Sequence, residues 1–102
     1  MDKVNPYELF KPLGIPVGHM VNPSPDKIPF LVFFNAGADT FSADDSVYYS
    51  SDSWVLELYS NKYDPELVSS VETVLKEAGI CWERGQEVYI SDERLFMTPF
   101  YF

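Results

Sequence analysis

A helix over residues 64–78, preceded by an alternating segment over 54–60, constrains the fold of this 102-residue chain more than any other feature. Asp64 can cap the helix, Pro65 suits its first position, and Gly79 ends it. Its apolar residues recur at helical spacing and form one stripe: Leu67, Val68, Val71, Val74, Leu75 and Ala78. The preceding segment alternates as a half-buried strand does, with three residues facing inward: Trp54, Leu56 and Leu58. This succession predicts a helix that packs on a sheet.

Three further regions have the patterns of strands. Residues 28–35 form an apolar run, and residues 80–90 predict a hairpin that turns at Gly85. A last strand is predicted over residues 94–102. Because proline cannot donate a hydrogen bond to a neighbouring strand, Pro99 predicts that this last strand lies at a sheet edge. An edge that ends in three aromatic residues needs something to cover it, which indicates assembly.

The N-terminal segment predicts a short helix. Asn5 can cap it, Pro6 suits its first position, and the pattern ends near Leu13. We therefore expect a single α+β domain over residues 1–102. Its sheet is expected to be mostly antiparallel, with one long helix at about 64–78 and the short N-terminal helix packed on it.

Residues 36–53 are polar and predict a long loop, with a short strand as an alternative for its middle, residues 47–49. The segment contains four aspartates and no lysine or arginine: Asp39, Asp44, Asp45 and Asp52. Loops of this length are uncommon in a compact domain unless they are functional or mobile. We expect these residues to form an acidic loop at about 36–53.

Charge and cysteine content narrow the class of protein. The formal net charge is −9, from 16 acidic and 7 basic residues, so the chain lacks the basic face that binding to nucleic-acid phosphates requires. Cys81 is the single cysteine and predicts no disulfide framework, which fits a reducing compartment. We expect neither a signal peptide nor a membrane span, because the longest apolar stretch, residues 28–34, is too short to cross a bilayer.

The sequence contains no recognisable catalytic or metal-binding pattern. One histidine, His19, and one cysteine can form a catalytic pair only by tertiary proximity, and zinc needs about four such ligands. The aspartates of residues 36–53 lack the ligand spacing of an EF-hand, and the five glycines are too scattered for a phosphate loop. We therefore expect no catalytic residue, metal or cofactor.

The order of these segments resembles small tail-terminator or head–tail joining proteins of long-tailed bacteriophages and prophages. The resemblance covers residues from about 5 to the end of the chain. It depends on spacing and apolar character in seven segments: residues 28–34, 41–48, 54–60, 62–66, 79–83, 87–90 and 93–98.

The resemblance implies an α+β subunit of a homohexameric ring at the head-proximal end of the tail. Such a ring contacts tail-tube and head-connector proteins, and DNA passes through it without specific binding. The implied location is the virion, after synthesis in the bacterial cytoplasm. Candidate interface residues lie on the strand over 28–35 and on the edge over 94–102: Phe30, Val32, Phe34, Phe96, Phe100 and Phe102. The four aspartates are candidates to line the lumen or to dock a neighbouring ring, and a simply solvated loop is the alternative.

Two other functions remain open. A small acidic binding module, such as a phage-encoded DNA-mimic inhibitor, predicts carboxylates spaced like phosphates along one elongated face. A small enzyme predicts a cleft that contains His19 or a close pair of carboxylates.

Overall fold

The chain forms an α+β fold in which helices cover one face of a sheet. The computed structural model describes residues 4–24, 26–42 and 48–102, with the backbone alone for residues 38–42 and 48–51. The elements in chain order are helix α1 (Pro6–Phe10), a 3-10 turn (Lys11–Leu13), strands β1 (Val17–His19), β2 (Phe30–Ser42) and β3 (Tyr48–Ser60), helix α2 (Pro65–Glu77), and strands β4 (Glu83–Arg84), β5 (Val88–Ile90) and β6 (Leu95–Tyr101). The predicted fold class is confirmed.

Both helices begin where the sequence predicts. The Asn5 side chain accepts a hydrogen bond from Tyr7 N, and the Asp64 side chain accepts one from Leu67 N. Gly79 adopts a φ of 73° and ends α2, because glycine enters this left-handed region without a steric penalty. The predicted single long helix is not supported: α2 has 13 residues, and the N-terminal helical segment has eight, five in α1 and three in the 3-10 turn.

The six strands form one mixed sheet. Its order is β1-β2-β3-β6, after which β4 and β5 both pair with β6. The pairs are antiparallel except β1 with β2, which is parallel. The sheet is therefore mostly antiparallel, as predicted, but β1 makes it mixed.

The main core lies between the sheet and the helices. Its buried residues come from α1, α2 and the helix-facing side of the strands: Phe10, Leu31, Phe33, Leu56, Leu58, Val71, Leu75 and Phe100. A smaller cluster lies on the opposite face of the sheet and contains Phe30, Val32 and Leu95. Tyr59 packs on this cluster, with its ring stacked on that of Phe30 at 4.8 Å between centroids. Both faces of β2 are therefore buried within the chain over residues 30–33.

The predicted loop over residues 36–53 was wrong for most of its length. Strand β2 continues to Ser42 and β3 begins at Tyr48, so only residues 43–47, outside the described residues, separate them. Five register pairs, from Ala38–Asp52 to Ser42–Tyr48, continue the ladder. The reason is non-local: each backbone finds its hydrogen-bonding partners in the other strand, whatever the polarity of the side chains.

The last strand, β6, is central, which corrects its predicted place at an edge. It pairs with β3 on one side and with β4 and β5 on the other. The backbone groups of Phe102 bond to Trp54 in the β3 row, so by alternation those of Pro99 point toward β4 and β5. The β4–β5 row is interrupted at residues 85–87, and the missing Pro99 N–H falls at that interruption. A proline is tolerated there because no regular ladder bond is lost.

The predicted hairpin at Gly85 was also wrong, since β4 and β5 pair with β6 and not with each other. Gly85 has a different role from a turn residue. A Cβ atom at this position would lie 2.7 Å from Pro99 Cγ and 2.8 Å from the Tyr101 ring. Glycine therefore allows the chain between β4 and β5 to approach β6 closely.

Candidate functional site: the margins of the sheet

The predicted interface residues divide into two groups. Phe30, Val32 and Phe100 are 3%, 6% and 0% exposed, so they pack within their own chain and are not available to a neighbour. This part of the prediction is corrected, because β2 and β6 are interior strands whose apolar residues complete the fold. The other three residues, Phe34, Phe96 and Phe102, are partly exposed.

Two of the four predicted acidic residues, Asp39 and Asp52, lie in the strands of a hairpin and not in a loop. Asp39 lies in β2 opposite Ser51, and Asp52 lies in β3 opposite Ala38 with its side chain exposed. Asp44 and Asp45 lie outside the described residues. What these aspartates do stays a prediction.

The first free margin of the sheet is β1. Met20 N donates to Phe33 O and Leu31 N donates to Pro16 O, so these groups face β2. By alternation, the N–H and C=O groups of Val17 and His19 point away from β2, toward the margin of the described sheet. We call this outward side of Val17–His19 the β1 margin.

Two exposed apolar residues follow the β1 margin directly. Met20 is 67% exposed and Val21 is 69% exposed. Gly18 lets the chain fold back here, because a Cβ on it would lie 2.5 Å from Val21 O and 2.9 Å from Pro23. The backbone turn after β1 thus keeps two apolar side chains in solvent beside a strand margin that the described residues leave unpaired.

The second free margin is the row formed by β4 and β5, which we call the β4–β5 margin. Val88 and Tyr89 on β5 are 44% and 53% exposed. Glu72 on α2 holds the chain that enters β4: its Oε2 accepts from Trp82 Nε1 at 3.0 Å, and its Oε1 lies 3.5 Å from Arg84 Nη1. Sheet order places this margin at the end of the sheet opposite β1.

The third free margin is the outer part of the β2–β3 hairpin, residues 36–42 and 48–53, which we call the arm. β1 pairs with β2 only as far as Phe33, and β6 reaches β3 only as far as Trp54. In the part of the chain that the structure describes, the arm is therefore two strands wide. The molecule measures 52 × 27 × 22 Å along its principal axes, which fits a projecting arm.

A bulge marks the point where the arm leaves the sheet. The register shifts between Asn35 and Ala38, so β2 has one residue more than β3 over this interval. Gly37 has a φ of 116°, which L residues rarely adopt, and its N–H donates to Asn35 Oδ1 at 2.7 Å. Bulges increase twist and redirect a strand, so this one sets the direction of the arm.

The structure does not bring His19 and Cys81 together. His19 lines an open concavity with Tyr7, Phe33 and Trp54, whereas Cys81 lines a different groove beside Trp82. Over residues 4–24, 26–42 and 48–102, no group of three or more His, Cys, Asp or Glu side chains is placed to hold a metal ion. Within the same ranges, no helix has the length and apolar character needed to cross a membrane.

One hydroxyl has an altered acidity. Tyr59 donates from its hydroxyl to Glu57 Oε1 at 3.0 Å on the face of the sheet opposite the helices. Burial, followed by the negative charge of Glu57, raises the Tyr59 pKa to about 12. The pair has the character of a structural contact, because a phenol with this pKa stays protonated and is a poor nucleophile near neutral pH.

Sequence reasoning missed the β1 and β4–β5 margins. The available signals were the apolar pair Met20–Val21 before a proline-rich turn and the short apolar run Val88–Ile90 between polar segments. Neither signal distinguishes an edge strand from an interior one, because that depends on which strands pair.

Comparison of the sequence with protein-family models gives no match. Comparison with curated protein sequences gives no significant match either. The assignment of a function must therefore rest on the margins of the sheet and on the resemblance described from the sequence.

Proposed function

We propose that this chain is a structural subunit that assembles with identical copies into a ring. The ring would terminate or complete the tail tube of a long-tailed bacteriophage and join it to the head connector. The observation that carries the proposal is the set of strand margins that the described residues leave unpaired: β1, β4–β5 and the arm. In this proposal the chain works by contact alone, without a catalytic residue or cofactor.

The margins differ from one another, and this favours a ring. A contact between two unlike surfaces is heterologous, so each subunit uses one surface to bind the next and closes a ring if the rotation permits. The exposed apolar residues of the β1 and β4–β5 margins, Met20, Val21, Val88 and Tyr89, are suited to such contacts. A ring of six subunits is what the resemblance implies.

The charge of the chain fits a ring through which DNA passes. With 16 acidic against 7 basic residues, the subunit does not attract phosphate, and the 36–53 segment contains four aspartates and no base. Carboxylates at the lumen would prevent passing DNA from adhering. The proposed location is the virion, at the head-proximal end of the tail.

The DNA-mimic alternative has less support. Its carboxylates should follow one face, but here Glu72 lies on α2 over one face of the sheet and Glu57 lies on the opposite face. These two carboxylates therefore do not share a face of the sheet. Among the described residues, no specific contact or spacing favours this second function.

Tail assembly with a matched pair of variants tests the proposal. Val21→Lys and Ser69→Lys add the same charge at exposed side chains, but Val21 adjoins the β1 margin whereas Ser69 lies on the solvent side of α2. We expect the wild type and Ser69→Lys to cap tail tubes of the phage that encodes the protein, and we expect Val21→Lys to fail. Electron microscopy measures capping, and light scattering measures the ring. A wild-type chain that neither caps tubes nor self-associates in their presence would refute the proposal.

A further inference from the structure

We propose that the arm of one copy adds as an extra strand to the β1 margin of a second copy. This inference rests on the proposed self-assembly and names the contact that would hold neighbouring subunits together. It commits to one partner, a second copy of this chain, and to one surface on that copy.

The arm lacks enough internal contacts to be stable alone. Its five register pairs, from Ala38–Asp52 to Ser42–Tyr48, have no third strand on either side within the described residues. A two-stranded ribbon is at best marginally stable in water, and three strands or a packed face are needed for stability. The arm sequence is dominated by Ala, Gly, Ser, Thr and Asp, so its backbone margins are the groups best able to gain a partner.

The backbone groups of the arm and of the β1 margin can match. The backbone N–H and C=O groups of Trp54 face β6. By alternation, the backbone groups of Asp52 and Ser50 point outward on β3, away from β2. Those of their register partners, Ala38 and Thr40, point outward on β2, at the other side of the arm. Outward groups on each arm strand recur every second residue. Those of Val17 and His19 recur at the same spacing. A short ladder can therefore form between them.

The partner must be a different molecule. The inner side of β1 is already bonded to β2 of the same chain, over Leu31–Phe33. Its outer side faces away from β2, and the arm is a continuation of β2 itself. The arm therefore cannot reach the outer side of its own β1, but the arm of a second copy can.

Charge selects β1 over the other margins. The segment over residues 36–53 contains four aspartates and no base, so pairing two arms would oppose like charges. The β4–β5 margin and its following turn, residues 83–93, contain four acids against one arginine. Residues 15–24, which include β1, contain no acid. The β1 margin is therefore the strand margin that accepts the acidic arm without repulsion.

Apolar residues can add to this contact. Met20 and Val21 are exposed beside β1, and the arm sequence supplies aromatic residues at Phe41, Tyr48 and Tyr49. Strand addition uses the main chain for affinity and side-chain contacts for specificity. The arm and the β1 margin both have free backbone groups, and both have apolar residues in or beside them.

Directed disulfide formation between two populations of the full chain tests the contact. In a Cys81→Ser background, one population carries Thr40→Cys and a second, mass-tagged population carries His19→Cys. The control pairs Thr40→Cys with Tyr89→Cys, since Tyr89 is an exposed residue of the β4–β5 margin. In the presence of tail tubes we expect severalfold more arm–β1 disulfide than arm–β5 or arm–arm disulfide.

A backbone variant provides the second measurement. His19→Pro removes an outward N–H that β2 does not use, whereas His19→Ala removes the same imidazole and keeps the N–H. We expect the proline variant to lose ring formation and the alanine variant to keep it, with both unfolding at similar urea concentrations.

The outcomes separate the two proposals. A ring detected by light scattering whose disulfides join the arm to β5 or to another arm refutes the arm–β1 contact and leaves the proposed function standing. Equal ring formation by the proline and alanine variants also refutes the contact. No association and no capping of tubes refutes both.

Discussion

Removal of the Glu72 carboxylate should loosen the β4–β5 margin from the helix that supports it. Glu72 on α2 accepts a hydrogen bond from the Trp82 indole at 3.0 Å and lies 3.5 Å from Arg84 Nη1. Among the described residues this is the one ion pair. Glu72→Gln keeps an acceptor for the indole and removes the charge, whereas Glu72→Ala removes both.

The geometry sets the size of each effect. Arg84 and Glu72 side chains are 52% and 24% exposed, so their ion pair is worth about 0.2–1 kcal/mol. The indole hydrogen bond adds a net contribution of about 0.5–1.5 kcal/mol. We therefore expect Glu72→Gln to lower the free energy of unfolding by less than about 1 kcal/mol, and Glu72→Ala to lower it by about 1–2 kcal/mol.

A double-mutant cycle isolates the hydrogen bond. Trp82→Phe keeps a ring and removes the N–H donor, and urea unfolding gives the stability of the wild type, both single variants and the double variant. We expect Glu72→Ala and Trp82→Phe to couple by about 0.5–1.5 kcal/mol. Glu77→Gln, an exposed change of the same charge on the same helix, is the control. Additivity within about 0.3 kcal/mol would refute the assigned role of Glu72.

Three further predictions concern the sheet itself. Gly18→Ala should lower the free energy of unfolding by about 1–3 kcal/mol in urea, because its Cβ would lie 2.5 Å from Val21 O; an unchanged midpoint would contradict this. Phe100→Ala should lower it by about 3–5 kcal/mol, because the ring is fully buried, and a loss below about 1 kcal/mol would place the ring outside the core. The folded-state Tyr59 pKa of about 12 exceeds the unfolded value of 10.0. The contribution of the protonated hydroxyl to the free energy of unfolding is therefore complete below pH 10 and is lost as the pH rises from 10 to 12. Tyr59→Phe should flatten this fall, and an identical pH profile in equilibrium unfolding would count against it.

The sequence predicts α2 well because its signals are local. Asp64 and Pro65 mark its start and Gly79 its end, and each acts through groups within a few residues. The stripe on its buried side includes Val71 and Leu75, which the structure places in the main core. A helix makes its backbone hydrogen bonds within itself, so its boundaries can be read without knowledge of the rest of the fold.

The arm was missed because a strand takes its hydrogen bonds from elsewhere. Residues 36–42 and 48–53 contain many residues with low strand propensity, and this favoured a loop. Pairing of the two strands outweighs that preference, since each strand supplies the donors and acceptors that the other needs. The bulge at Gly37 also interrupts the alternation, which hides the continuation of β2 from a period-two pattern.

The margins were missed for a related reason. Pro99 indicated an edge, but β6 is central. Its proline is tolerated because the missing N–H points to an interruption in the neighbouring row. The edge strands β1, β4 and β5 have three, two and three residues, too few for a recognisable alternation. A strand's position in a sheet is a property of the whole pairing order, and this is why single-residue signals misplaced it.

The aromatic content of the chain does not by itself indicate an interface. Phe10, Phe33 and Phe100 fill the main core, and Phe30 stacks on Tyr59 on the other face. Of the 17 aromatic residues, eight are buried in the two core clusters or pack on them, so the aromatic content alone does not separate core from interface. The proposed assembly therefore rests on the backbone more than on aromatic side chains. The described residues leave strand margins unpaired, and apolar residues beside these margins remain in solvent. An exposed strand margin is a template for pairing with another chain, and the three margins among the described residues are therefore what favours the proposed assembly.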